Sequence, residues 1–163
     1  MALTVTFNQH ETNFINRIAH LRNDHKIGVV RNRRICGDDD LLLNVWGVSS
    51  ELAVAKVLGL TVDVIKRIAG DGGVDLVKDG KIYQVKYTKY PTGLLIFKYD
   101  EEPAWNYAIL TTPGHGGIEI KGWINKNLYL QRRKAKDLGY GLNWIVEQKQ
   151  LLDLDYLPGI IIH

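Results

Sequence analysis

The dipeptide Asp79-Gly80 constrains the folding of this chain more than any other feature, because it lies between two β-rich runs, 74–78 and 81–87. Both central positions of a two-residue hairpin turn need positive φ, which Asp tolerates and Gly adopts freely. The register follows by counting outward: Lys78 faces Lys81, Val77 faces Ile82, Leu76 faces Tyr83 and Asp75 faces Gln84. Directly opposed residues project to the same side of a sheet, and Lys86 shares that side with Gln84 because side chains alternate with a period of two. One face of the ribbon therefore gathers Asp75, Gln84 and Lys86, and the other carries Leu76, Tyr83 and Val85. Two readings of the polar face stay open at this point: the solvated side of an antiparallel sheet with an ordinary Asp–Lys attraction, or a site.

Residues 41–58 bear on that choice. They have helical periodicity and stop near Gly59. At about 100° per residue, Val45, Val48, Leu52, Val54, Ala55 and Leu58 trace one apolar arc, and Glu51 falls inside it, between Ala55 and Leu58. A carboxylate turned toward a core is costly unless it is paired or bound to a cation. Lys56 projects away from Glu51, so no local partner is expected. A shifted helix boundary or a snorkelling side chain is the plain alternative.

The rest of the chain supplies a frame. Residues 7–25 carry Phe14, Ile15, Ile18, Ala19 and Leu21 at the spacing of an amphipathic helix. A polar connection follows, with Arg31, Arg33 and Arg34 and then Asp38, Asp39 and Asp40. Val62, Val64 and Ile65 suggest a strand ahead of the turn-rich run 70–73, and 94–98, 107–111 and 118–124 are further strand candidates. Pro103 and Pro113-Gly114 mark breaks, and 130–138 predicts a short basic helix. Helices first and strands after them give an α+β domain, with helices covering a mixed sheet. A length of 163 residues fits one domain, 1–163. The composition, 45% hydrophobic and 24% charged, is that of an ordinary globular protein whose core needs no staple. The single cysteine, Cys36, excludes an internal disulfide and a cysteine-rich zinc site, and suits a reducing cytoplasm. The N-terminal stretch lacks the pattern of a secretory signal, and no apolar run reaches the length of about 18 residues that a membrane span needs. A net charge of +3 permits a phosphate-bearing partner without requiring one.

Glu51, Asp75 and Gln84 offer two carboxylates and an amide oxygen, the hard donors that Mg²⁺ prefers. Such a metal polarises a phosphate oxygen and lowers the pKa of a bound water. Lys86 beside it would orient or help deprotonate the attacking water and stabilise charge developing on the phosphate. That chemistry is hydrolysis of a phosphodiester.

These residues resemble the signature of the PD-(D/E)XK nuclease superfamily, the fold shared by many restriction endonucleases and archaeal Holliday junction resolvases. A helix supplies a glutamate, here Glu51 in Trp46-Gly47-Val48-Ser49-Ser50-Glu51-Leu52-Ala53. A hairpin supplies an aspartate, here Asp75 after Gly72-Gly73-Val74, and then a (D/E)-x-K element, here Gln84-Val85-Lys86. The resemblance covers roughly 44–125. It implies a restriction endonuclease-like α-β-β-β-α-β core and Mg²⁺ dependence, with Mn²⁺ as a substitute. It also implies cleavage of DNA, metal ligation by Glu51, Asp75 and Gln84, and a homodimer in which each domain cuts one strand. A free-standing domain of this kind resembles structure-selective or phage-type repair and recombination nucleases, in the cytoplasm of a bacterial, archaeal or phage-infected cell. Val74 stands where the motif has proline, and Gln84 stands where a carboxylate is usual. The site therefore has one negative charge fewer, and weaker metal affinity with a single principal metal is expected. The rival readings are a non-catalytic nucleic-acid-binding module that keeps the fold, an RNA-cleaving enzyme, and an unrelated interaction protein.

Basic residues extend the reading. Lys89 follows Tyr87 and precedes Tyr90, an arrangement that tracks nucleic-acid backbones or simply ends a strand in solvent. Arg132, Arg133, Lys134 and Lys136, after Gln131, form the densest basic cluster. They are candidates for gripping DNA phosphates or for a solvated helix face. His115 reads as an exposed loop histidine. Trp46, Trp105, Trp123 and Trp144 read as core or interface residues.

Overall fold

The hairpin forms as the turn chemistry requires. Asp79 (φ 51°) and Gly80 (φ 75°) both take the left-handed conformation. β2 (Leu76–Lys78) pairs antiparallel with β3 (Lys81–Tyr87), matching Leu76 with Tyr83, Val77 with Ile82 and Lys78 with Lys81. The computed structural model describes residues 3–24, 40–60 and 76–161. Asp75, Cys36, the polar connection, the expected strand at 62–65 and the turn at 70–73 lie outside the described residues.

β3 pairs in parallel with β5 (Tyr107–Gly114), β5 pairs antiparallel with β6 (Gly117–Asn125), and β1 (Leu3–Thr6) closes the far edge. The mixed sheet has the order β1-β6-β5-β3-β2. A smaller sheet holds β4 (Leu95–Lys98), β8 (Leu142–Val146) and β7 (Lys134–Asp137) in the order β4-β8-β7. With α1 (Gln9–Asp24), α2 (Asp40–Val57) and α3 (Lys126–Arg132), the fold is the expected α+β. No described helix is long and apolar enough to cross a membrane.

Strand alternation divides the large sheet into two faces. Tyr83, Val85, Ile109 and Ile120 pack with Ile15 and Ile18 of α1 and with Val48, Leu52 and Val54 of α2. Ala108, Leu110 and Ile124 turn to the other face, against Leu95, Phe97, Trp105, Tyr129 and Val146. Each fully buried aliphatic side chain contributes about 1.5–3 kcal/mol relative to exposure, so both faces are committed to cores.

Two expectations are corrected. The basic run 130–138 is not one helix. Asn125 caps α3 by accepting from the Leu128 N–H, the helix ends at Arg132, and Arg133 is already extended ahead of β7. Pro113-Gly114 does not break β5, which runs through both residues to a turn at His115-Gly116. β3 pairs with β5 only as far as Thr111, so Pro113 sits on a free edge where its missing N–H costs nothing. The parallel connection from β3 to β5, residues 88–106, carries β4, the strand expected at 94–98, into the second sheet. β1, for which the sequence raised no expectation, adds an edge strand that only Val5 buries, a signal too short to stand out.

Candidate functional site

Because Tyr83 and Val85 face the helical layer, the intervening Gln84 and the following Lys86 project to the opposite face of β3. There they open on a recess of about 220 Å³ that is also lined by Phe97, Glu101, Glu102, Pro103, Ala104, Trp105 and Tyr129. Lys86 Nζ stands 4.8 Å from the centroid of the Phe97 ring, a cation–π geometry worth about 0.5–2 kcal/mol that holds the ammonium over the recess wall. The backbone at Lys86 is fixed from the other side. Thr111 Oγ1 lies 3.0 Å from the Lys86 carbonyl and 2.8 Å from Ser50 Oγ. A carbonyl only accepts, so the single Thr111 proton goes to Lys86, and the buried Ser50 hydroxyl donates to Thr111. One chain of hydroxyls thus ties α2 to β5 and β3.

Glu51 lies elsewhere. Its wheel position is as expected, among Val48, Leu52 and Ala55, which are buried to within 1% exposure. Its partner comes from another helix. Arg22 of α1 reaches it with two guanidinium nitrogens, Nη2 at 3.0 Å and Nη1 at 3.4 Å. The pair is nearly dry, with side-chain exposures of 7% for Arg22 and 13% for Glu51. Sequence reasoning looked for a neighbour on the same helix; the partner comes from 29 residues away, across the α1–α2 contact. A buried, two-pronged arginine–carboxylate pair satisfies the desolvation cost that motivated a cation there.

The basic candidates separate into two kinds. Arg132 donates to the Gln150 carbonyl, and the Arg133 guanidinium stacks on Trp144 at 4.0 Å, so both hold the C-terminal segment and the small sheet in place. Lys134 and Lys136 are exposed on β7, an edge strand, and Lys134 lies 3.6 Å from Glu147. Lys89 lies over the exposed Tyr90 ring at 5.3 Å, beyond the end of β3. Trp105 and Trp123 are buried, Trp46 and Trp144 half-buried, and His115 is exposed at the β5–β6 turn.

Of the three expected magnesium ligands, Asp75 lies outside the described residues, and the other two are on different sides of the sheet. Glu51 sits on the helical side of the sheet in the grip of Arg22, and Gln84 opens on the other side. Among the described residues, no three His, Cys, Asp or Glu side chains gather in metal-binding proximity. Sequence reasoning missed Glu101 and Glu102, which share the recess with Gln84 and Lys86. They belong to a connection with no periodicity, and only the packing of Trp105 brings them there. No protein-family profile matches this chain, no curated protein is similar to it, and no solved structure matches its fold.

Proposed function

We propose that the protein is a magnesium-dependent deoxyribonuclease that hydrolyses phosphodiester bonds in the recess beside β3. The observation that carries the reading is the pairing of Gln84 and Lys86 on one face of β3, at an open recess in a largely apolar layer. The reading takes Asp75 from the sequence as the residue next to them, one position beyond the Leu76–Tyr83 pair. When bound, magnesium supplies a Lewis acid for the phosphate and an acidified water. Lys86 supplies a point charge and three donors, which stabilise the oxygens of the phosphorane-like transition state and orient the nucleophilic water. Gln84 offers its amide oxygen as a neutral donor and its N–H₂ to a phosphate oxygen. Glu51 could join this site only by releasing Arg22, so the reading rests on Asp75, Gln84 and Lys86. Lys89, Lys134 and Lys136 supply the sequence-independent attraction to the backbone, and a homodimer would allow both strands to be cut.

The experiment is a cleavage panel of linear, supercoiled, single-stranded and branched DNA, with RNA in parallel, in Mg²⁺ or Mn²⁺ and in chelator. Metal-dependent cutting of one or more DNA forms is expected. Absence of cutting in every form, with salt-dependent binding retained, supports the second reading: a nucleic-acid-binding module that has lost catalysis. The Arg22–Glu51 pair favours that second reading, since it removes one expected ligand.

A further inference from the structure

We propose that the recess beside β3 takes one unpaired adenine base of a single-stranded segment of DNA, read by the amide of Gln84, while the attached phosphate stays outside at Lys86. The proposal deepens the nuclease reading by naming its substrate class, and it rests on that reading for DNA as the source of the base.

The walls are rigid and aromatic. Phe97 and Trp105 stack with ring centroids 5.2 Å apart, and Tyr129 stands edge-on to both at 5.1 Å. None of the three exceeds 6% exposure, so the core beneath fixes their positions. The segment that completes the opening is fastened to β3. The Ile82 N–H donates to Asn106 Oδ1, and the Asn106 N–H donates to the Ile82 carbonyl, both at 2.9 Å. The cavity is therefore preformed, and apolar walls with a few polar groups are the usual make-up of a site for a small organic ring. Its volume, about 220 Å³, falls below the roughly 300–1,000 Å³ of drug-sized sites. That suits one planar ring system with its sugar and phosphate left outside.

The polar groups decide which ring. Gln84 lines the recess, and its side chain makes no hydrogen bond among the described residues. Its carbonyl oxygen and its N–H₂ are both uncommitted, and that acceptor–donor pair matches the amino group and N7 of adenine. Glu101 and Glu102 share the opening, and carboxylates only accept. They favour a ring that bears amino hydrogens over thymine, which has two carbonyls and one ring N–H. Two carboxylates against the single ammonium of Lys86 leave the lining net negative, which repels a phosphate from the interior and admits a neutral base. A base within a duplex is stacked and paired, whereas an unpaired one enters such a pocket at little cost.

The surface beside the recess is an independent observation pointing to a single strand. Tyr99 stacks on Trp144 at 4.8 Å and is still 47% exposed, and the Arg133 guanidinium lies 4.0 Å from the centroid of the Trp144 ring. Aromatic rings interleaved with a cation are what successive unpaired bases stack upon. Phe97 and Trp144 are direct partners across β4 and β8, so this platform continues the recess wall.

The test is fluorescence anisotropy of short labelled oligomers in chelator, where binding is read without cleavage. The probes are oligo(dA), oligo(dT), an abasic oligomer and a duplex, all of one length, and circular dichroism confirms folding of the variant. The wild type is expected to bind oligo(dA) at least about tenfold tighter than oligo(dT) or the abasic oligomer, as one bidentate base contact provides. Gln84→Leu should bring the oligo(dA) to oligo(dT) ratio near one and leave duplex binding unchanged. The salt dependence of oligo(dA) binding should also stay the same, because phosphate contacts set that slope. Equal binding of oligo(dA) and the abasic oligomer by the wild type, a preference kept by Gln84→Leu, or an equal loss on duplex DNA would overturn the proposal. Displacement of oligo(dA) by dAMP at equal nucleotide concentration would also overturn it, by assigning the recess to a free nucleotide. If the base preference is found but no DNA form is cut in Mg²⁺ or Mn²⁺, the base site stands and the nuclease reading falls. If DNA is cut and binding shows no base preference, the reverse holds.

Discussion

Replacing Arg22 with alanine leaves the Glu51 carboxylate inside the α1–α2 contact without its two-pronged partner. Removing one member of a buried ion pair costs about 3–5 kcal/mol, because the remaining charge is uncompensated. Glu51 retains 13% exposure, so water recovers part of the loss and the lower end, about 3 kcal/mol, is expected. For a domain of this size each kcal/mol lowers Tm by about 2–4 °C, which gives a drop of roughly 6–12 °C. The assay is guanidinium unfolding followed by circular dichroism, in which the midpoint should fall while the slope stays constant. Arg22→Met/Glu51→Leu should return to within about 1 kcal/mol of the wild type, since apolar groups of similar volume replace such pairs at little cost. The double-mutant cycle then isolates the coupling. A loss below about 1 kcal/mol for Arg22→Ala, or a double variant as unstable as the sum of the singles, would refute a structural role for this pair.

Thr111→Val cuts the hydroxyl chain and leaves the Lys86 carbonyl and Ser50 hydroxyl short of a partner. A loss of about 1–3 kcal/mol is expected in the same unfolding assay, and a loss under about 0.5 kcal/mol would contradict the chain. Tyr129→Phe removes an unsatisfied hydroxyl, so metal-free stability should be unchanged or higher by up to about 1 kcal/mol; a clear loss would mean that the hydroxyl has a partner. The folded state holds the Tyr129 proton above its ordinary pKa of 10.0, so this group costs the fold nothing further below pH 10, and stability falls as pH rises from there through the folded-state value. Unfolding measured at rising alkaline pH should therefore fall more steeply for the wild type than for Tyr129→Phe, and parallel curves would contradict the shift. Lys134→Ala/Lys136→Ala should lower the steepness of the salt dependence of DNA binding by about 0.9 per lost phosphate contact; an unchanged slope in a filter-binding titration would remove β7 from the interface.

What could be read from the sequence was what is local. The Asp79-Gly80 turn fixed the pairing of Leu76 with Tyr83, and alternation then sent Gln84 and Lys86 to the same side. The apolar arc of α2 was legible because Val48, Leu52, Val54, Ala55 and Leu58 repeat at helical spacing. What escaped was set by contacts between distant segments. Arg22 meets Glu51 only because α1 and α2 pack together, so a carboxylate that looked unpartnered along its own helix was paired across two. Glu101 and Glu102 reach the recess through Trp105 and Asn106, which fasten an aperiodic connection to β3. The run Lys134-Ala135-Lys136-Asp137 looked helical in composition but is exposed at every position and becomes a strand by pairing with β8. No local propensity announces such a pairing.

The central claim is that Lys86 acts on a phosphodiester at the recess beside β3. The measurement is nicking of supercoiled DNA in Mg²⁺ by the wild type and by Lys86→Ala, with binding to the same DNA measured in chelator. The account predicts that the variant still binds DNA while its cleavage rate falls by about 10²–10³-fold, as for loss of one preorganised transition-state donor. Cleavage by Lys86→Ala at the wild-type rate would contradict it.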